Sequence, residues 1–264
     1  VVGTYSQRKI KGLEYLDVTN KKNVEKFIFK YSPEVVIDTI GWANLFLSES
    51  NPEKTKLINY HTAKNLEEVC KTNKIPMIFF SSSYIFDGNK GNYSEKDVPN
   101  PKSQYGKTKV MAENEVLKLK NSIVIRIDRL YGYNSGNEVE DLLGVIFSGE
   151  NPIKVRDYLQ IRSPTLVDDV GPVILKLLKD KKYGIFNVAG PEKITKYDFF
   201  KKIGNKLKND LKFVAEKDLS GKESIAPHDA SLDISKIKSL GIKMHTLEEG
   251  INIIREQLKK DKII

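Results

Sequence analysis

The sequence predicts an α/β fold, a doubly wound parallel sheet with a smaller C-terminal α/β lobe. Three observations carry that prediction. Short runs rich in β-branched residues alternate with segments of helical period, the connections are long enough for parallel crossovers, and turn residues gather at the carboxyl ends of the apolar runs.

Taken in order, Val1-Val2-Gly3-Thr4-Tyr5 reads as the end of a strand, and Ser6-Gln7-Arg8-Lys9 as a polar, basic turn. Leu13 to Leu16 lead into Asp17-Val18-Thr19-Asn20, where Thr19 or Asn20 caps a helix whose Val24, Phe27 and Ile28 recur at helical spacing. Pro33 stops that helix. Glu34 to Ile40 is a short β-branched run, the mark of a strand buried on both faces, and Gly41-Trp42-Ala43-Asn44 turns the chain at its end. Pro52 opens a long helix to about Asn73, followed by a buried strand from Pro76 to Ser82. A polar loop through Gly88, Gly91 and Pro101 leads to a helix from about Ser103 to Lys120, then a strand from Ile123 to Ile127.

Beyond Tyr131-Gly132 the rhythm is less regular. A helix near Glu138 to Phe147, strands at Ile153 to Val155 and Leu159 to Ile161, a helix from Val167 to Leu178 and a strand at Ile185 to Val188 are expected. A helix from Thr195 to Leu207, a strand at Leu211 to Val214 and helices near Ile234 to Leu240 and Leu247 to Leu258 complete the chain. Residues 1–132 therefore form the sheet domain, with 166–188 returning to it, while 133–165 and 189–264 form a second lobe over the carboxyl ends of the strands.

Composition narrows the functional classes. The net charge of +9 comes from 38 lysines and six arginines, scattered and without a basic stripe interleaved with aromatics, which argues against nucleic-acid binding. No apolar run reaches the roughly 20 residues of a membrane span, and the first residues carry no signal-peptide pattern, so no membrane association and a cytoplasmic location are expected. The single cysteine, Cys70, falls on an apolar helix face and reads as a buried spectator. His61, His228 and His245 have no metal-ligand spacing, so no metal is expected.

In an open α/β sheet, ligands bind beyond the carboxyl ends of the strands. Ser81 to Ser83, Gly41 to Asn44 and Asp128 to Tyr131 all fall there. Tyr105 and Lys109 lie four apart on a predicted helix, hence on one face. A free tyrosine has a pKa of about 10, and a neighbouring cation favours phenolate and lowers it. Such a phenol protonates the alkoxide that develops in carbonyl reduction, while a hydroxyl such as that of Ser82 hydrogen-bonds the same oxygen. The Tyr-x-x-x-Lys spacing occurs four times, at Tyr5, Tyr60, Tyr105 and Tyr197. Only Tyr105 opens a helix after a strand ending in serines.

These residues carry a resemblance to a known family. Ser81-Ser82-Ser83-Tyr84-Ile85-Phe86-Asp87-Gly88 resembles the Ser-Thr-Asp-Tyr-Val-Phe-Asp-Gly of the extended short-chain dehydrogenase/reductases related to dTDP-4-dehydrorhamnose reductase. Tyr105-Gly106-Lys107-Thr108-Lys109 is similar to the catalytic Tyr-Gly-x-x-Lys of that family, and Arg126 to Gly132 to its Arg-Thr-Ser-Trp-Val-Tyr-Gly. Asn59 resembles its helix asparagine, a bridge between backbone segments. Gly106 to Lys109 and Ile194 to Tyr197 also resemble the regulatory beta subunit of methionine adenosyltransferase, which keeps the dinucleotide fold as a partner-binding subunit.

The resemblance implies a Rossmann-like NAD(P)-binding domain and an oxidoreductase of dTDP-rhamnose biosynthesis that reduces a nucleotide-linked 4-keto-deoxysugar. Ser82, Tyr105 and Lys109 are the catalytic residues it implies, with Tyr105 as general acid, Lys109 tuning it and Ser82 orienting the carbonyl. Cofactor contacts are expected from Ser6, Gln7, Arg8, Asp17, Val18, Gly41, Trp42, Ser81, Tyr105 and Lys109, and substrate contacts from Ser83, Tyr84, Arg129 and Tyr131. The Ser6-Gln7-Arg8 turn offers no carboxylate for a free ribose 2′-hydroxyl, whereas Arg8 suits a 2′-phosphate. NADP(H) is thus expected before NAD(H), and a homodimer is the expected assembly.

Several positions depart from the family pattern. Ser82 replaces threonine and keeps its hydroxyl, Ser83 replaces an aspartate, Arg129 stands at an aromatic position, and Ala226-Pro227 stands for Arg-Pro. The Gly-x-x-Gly-x-x-Gly turn that receives the pyrophosphate in complete members has no counterpart, and its strand is central in the order 3-2-1-4-5-6. The expectation is that this first βα unit is missing and belongs ahead of Val1.

Overall fold

The structure, a computed structural model, describes residues 1–133, 143–146, 151–156, 158–208, 210–216 and 225–263. The chain divides into two compact units. The first comprises Val1–Ile85, Pro101–Ile125 and Lys182–Ile185, and the second Phe86–Asn100, Arg126–Lys181 and Phe186–Ile264.

In the first unit, β1 (Thr4–Tyr5) pairs in parallel with β2 (Glu14–Tyr15), Thr4 opposite Glu14. The β2 strand falls within the stretch that sequence reading left as a lead-in to Asp17. Helix α1 (Lys21–Tyr31) starts where Asn20 accepts a hydrogen bond from the Lys22 N–H, buries Val24 and Ile28, and ends at Ser32 in a left-handed conformation. Strand β3 (Val36–Asp38) is shorter than the expected Glu34 to Ile40 run and pairs in parallel with β4 (Met77–Ser82). The sheet that contains them runs β10-β5-β4-β3, with β5 at Ser122–Ile127 and β10 at Gly184–Val188. Among the described residues β1 pairs only with β2, and β3 only with β4.

The expected long helix is built in pieces. Helix α2 (Leu45–Ser50) precedes it, capped by Asn44, and was not foreseen from the sequence. Helix α3 (Pro52–Lys56) then passes through a π-helical turn, Leu57–His61, into α4 (Thr62–Asn73). A π-turn inserts one extra residue into the helical ladder and re-aims the side chains on it; here it carries Asn59. Helix α5 (Gln104–Val116) begins at the expected place, with Ser103 accepting from the Gly106 N–H at 3.1 Å, and ends four residues before the expected Lys120. Leu66, Val69, Met77, Phe79, Ala112, Val116 and Val124 pack with α1 residues in one apolar core.

In the second unit, β6 (Leu130–Tyr131) pairs with β9 (Thr165–Leu166), β8 (Ile161–Arg162) with β11 (Ile194–Thr195), and β7 (Ile153–Arg156) with β12 (Phe213–Glu216). Helices α6 (Val167–Lys179), α7 (Lys196–Leu207), α8 (Ser235–Ser239) and α9 (Leu247–Lys260) complete it. Thr246 and Glu249 cap α9 reciprocally, satisfying two orphan N–H groups. The helix expected near Glu138 to Phe147 lies outside the described residues except at 143–146, which are helical. Tyr131, Phe199, Ile203, Leu247, Ile251 and Ile254 share the core of this unit.

Candidate active site

Strand β4 ends in the three serines and the chain then makes a tight turn, Ser83–Ile85. Helix α5 presses against that turn because residue 106 is glycine: a β-carbon there would stand 2.2 Å from the Tyr84 carbonyl oxygen. The close approach brings Tyr105 to Ser82. The Ser82 hydroxyl hydrogen-bonds with the Tyr105 phenol and accepts from the Tyr84 N–H at 3.2 Å. Tyr105 is 9% exposed and Ser82 8%. Burial pushes the phenol up to about 12, with the Ser82 bond opposing and the Tyr84 phenol adding to the rise. The Tyr84 ring lies edge-on to Tyr105 at 6.1 Å.

Lys109, one turn along α5, is 3% exposed. Its ammonium donates to the Phe80 carbonyl at 2.8 Å and the Ile40 carbonyl at 3.2 Å, and lies 4.5 Å above the Phe79 ring. Burial lowers its pKa to about 8, against the raising effect of Asp38 and Glu113. The ammonium therefore engages the main chain at Ile40 and Phe80. Gly41 flanks the ammonium: a β-carbon at residue 41 would stand 3.4 Å from Nζ.

Asn59 joins this group to the loop after β3. Its side chain accepts from the Trp42 N–H at 2.7 Å, donates to the Trp42 carbonyl at 3.3 Å and donates to the Thr108 hydroxyl at 3.1 Å. Thr108 in turn donates to the Tyr105 carbonyl at 2.9 Å. The backbone-bridging role expected for Asn59 is present, and the π-turn aims it.

A cleft of about 550 Å³ opens in the first unit beside this loop, lined among others by Ser6, Gln7, Asp17, Val18, Gly41 and Trp42. Six residues expected at a nucleotide thus line one cavity, although they come from three separate stretches. Arg8 is exposed and is not among the lining residues. Lys54, which sequence reading missed, is; its ammonium lies 4.5 Å over the Trp42 ring. No local pattern marks Lys54, since it meets the cleft only through the fold of α3. Ser81 is buried, and its Oγ has no hydrogen-bond partner.

The remaining expected residues divide between the units. Ser83 is fully buried in the turn beside Tyr84. Arg129 and Tyr131 belong to the second unit. Arg129 has a φ of +34° and holds its guanidinium 5.8 Å over the Phe199 ring. Tyr131 is 1% exposed, edge-on to Phe199 at 5.5 Å, with its phenol against Gly250; burial raises its pKa. Of the histidines, His228 is exposed and His245 pairs with Asp169. Cys70 is buried, and burial lifts its thiol to about 12. Among the described residues no three His, Cys, Asp or Glu side chains cluster to hold a metal, and no helix is long and apolar enough to cross a membrane.

Comparison with known proteins adds to this geometry. Residues 3–259 match the family model described as the RmlD substrate binding domain. A probable low-salt glycan biosynthesis reductase of Haloferax volcanii is 27% identical over 95% of this chain and 87% of its own. Methionine adenosyltransferase 2 subunit beta of Rattus norvegicus is 30% identical over 93% of this chain and 76% of its own. The crystal structure of a dTDP-4-dehydrorhamnose reductase from Bacillus anthracis in complex with NADP superposes with a TM-score of 0.84, at 24% identity, over 92% of this chain and 86% of that one.

Proposed function

The chain belongs to the RmlD substrate binding domain family, and from that premise we propose that it reduces a nucleotide-linked 4-keto-deoxysugar with NADP(H). One observation carries the proposal: the Ser82–Tyr105 hydrogen bond beyond the end of β4, with Lys109 one turn further along the same helix. The residues fit a nicotinamide dinucleotide. Ser6, Gln7, Asp17, Val18, Gly41 and Trp42 would hold its adenosine half in the cleft, and Ser81, Tyr105 and Lys109 its nicotinamide ribose. The unpartnered Ser81 Oγ supports this fit, because a buried hydroxyl costs free energy until something hydrogen-bonds it. So does the glycine at residue 41, which leaves one side of the Lys109 ammonium free of side chain.

When bound, the cofactor supplies a hydride to the carbonyl carbon. The chain's own residues handle the oxygen. Tyr105, protonated up to about pH 12, gives its phenolic proton to the developing alkoxide, and the Ser82 hydroxyl orients the carbonyl by hydrogen bonding. Lys109 has three N–H donors, two of which are held by Phe80 and Ile40; the third serves the ribose. Ser83 and Tyr84, in the turn that follows β4, would face the sugar nucleotide. Lys54, in the cleft, and Arg8, on the turn next to the lining residues Ser6 and Gln7, favour the extra phosphate of NADP(H).

Likeness to methionine adenosyltransferase 2 subunit beta supports a second reading, a dinucleotide-binding regulatory subunit. NADPH oxidation, followed by absorbance with a panel of nucleotide 4-keto sugars, separates the two. The reductase reading expects turnover with at least one of them. Tight NADPH binding without turnover on any of them would replace it with the regulatory reading.

A further inference from the structure

Asp38, the last residue of β3, is 2% exposed. Its Oδ1 accepts from the Ile40 N–H at 2.9 Å, and its Oδ2 is buried without a hydrogen-bond partner. The Ile40 carbonyl accepts from the Lys109 ammonium at 3.2 Å. A carboxylate and an ammonium, both buried, therefore grip the two polar groups of one residue. An unpaired buried carboxylate oxygen is costly unless an opposite charge lies close. The ammonium of Lys109, held on the carbonyl of the same Ile40, is the cation that acts on Asp38 through space.

We propose that Asp38 is the buried counter-ion of Lys109, a positioning residue that keeps the ammonium charged near neutral pH and fixes the Ile40 turn from which it is held. No residue pattern in the sequence joins them, since Asp38 lies on β3 and Lys109 on α5. The proposal rests on Lys109 being the working ammonium of the site described above.

The charge environment agrees with this geometry. Burial lowers Lys109 to about 8; Asp38, from β3, and then Glu113, from its own helix, hold it up. Burial raises Asp38 to about 6, and Lys109 holds it down. The other titratable neighbours are neutral in this range: Tyr105 at about 12, and the Cys70 thiol, raised to about 12 by burial and then by Glu67 and Asp38. Between about 6 and about 8 both members of the pair are charged. Removing the carboxylate charge leaves burial less opposed, so Lys109 loses its proton at lower pH.

A lysine NMR titration tests the proposal directly. Lysine side chains are isotope-labelled at the ε-carbon, and the Lys109 signal is the one lost in Lys109→Arg. In Asp38→Asn the Lys109 midpoint should fall by about one pH unit or more, and Asp38→Glu should return it toward the wild-type value. An unchanged midpoint in folded Asp38→Asn, checked by thermal melting, overturns the proposal. Should Asp38→Asn fail to fold, the reciprocal experiment decides: Lys109→Met should raise the Asp38 carboxyl midpoint, and an unmoved carboxyl overturns the proposal equally. No cofactor enters these titrations, so they stand if the reductase reading fails. A parallel NADPH titration tests that reading separately, and its alkaline loss of affinity should move to lower pH in Asp38→Asn.

Discussion

Gly106 touches the Tyr84 carbonyl so closely that a β-carbon at residue 106 would lie 2.2 Å from the oxygen and 2.8 Å from the Pro101 β-carbon. Backbone and a proline ring cannot give way by the required distance, so α5 itself must shift. Gly106→Ala should lower kcat/KM by about a hundredfold through displacement of Tyr105 from Ser82. It should also destabilise the chain by about 1–3 kcal/mol. Steady-state kinetics and a denaturant titration check both effects.

The pH dependence of reduction should follow Lys109 and not Tyr105. Tyr105 remains a proton donor up to about 12, whereas Lys109 is charged below about 8 and neutral above it. Its folded pKa is depressed below the free value, so the charge is lost earlier on raising the pH. The log of kcat/KM against pH should show an alkaline limb with a midpoint near 8, absent from Lys109→Met. A wild-type profile that stays flat past pH 10 would contradict this assignment.

Asn59 spends its side chain on the Trp42 N–H, the Trp42 carbonyl and Thr108. Truncation in Asn59→Ala removes the acceptor of the Trp42 N–H in a partly buried place, a cost of about 1–3 kcal/mol, while the Trp42 carbonyl keeps Ser48 and Thr108 keeps the Tyr105 carbonyl. The melting temperature should fall, and NADPH should bind more weakly because the Gly41–Trp42 loop loses its anchor. Thermal melts with and without NADPH measure the two effects.

Much of this site is legible in the sequence because its signals are local. Tyr105 and Lys109 share a helix face by spacing alone, Ser82 marks a strand end, and Gly41 and Trp42 mark the turn after another. The residues that escaped sequence reading meet the site only through tertiary structure. Asp38 and Lys109 are linked through the N–H and carbonyl of Ile40, and Lys54 reaches Trp42 through a helix that the sequence shows merely as polar. Two-residue strands such as β6 and β9 are too short for a period-2 pattern to form. The π-turn at Leu57–His61 is likewise hidden, since apolar periodicity continues through it into α4.

Lys54 should contribute to binding of the anionic nucleotide. Lys54→Met should weaken NADPH binding by about tenfold or more, as expected for loss of a charged hydrogen bond, and high salt should narrow the difference. Arg8→Gln should act selectively, weakening NADPH and leaving NADH unchanged. Trp42, the only tryptophan of the chain, lines the same cleft and reports binding by its fluorescence. Equal dissociation constants of the wild type for NADPH and NADH would remove the proposed preference.

The central claim is that Tyr105 supplies the proton in carbonyl reduction. Its most direct test is Tyr105→Phe, compared with wild type for NADPH binding by Trp42 fluorescence and for turnover of the nucleotide 4-keto sugar that the wild type reduces. Phenylalanine keeps the packing and deletes the phenol. The account predicts NADPH affinity within a few-fold of wild type and kcat lower by about a hundredfold to ten-thousandfold. Turnover by Tyr105→Phe at the wild-type rate would contradict it.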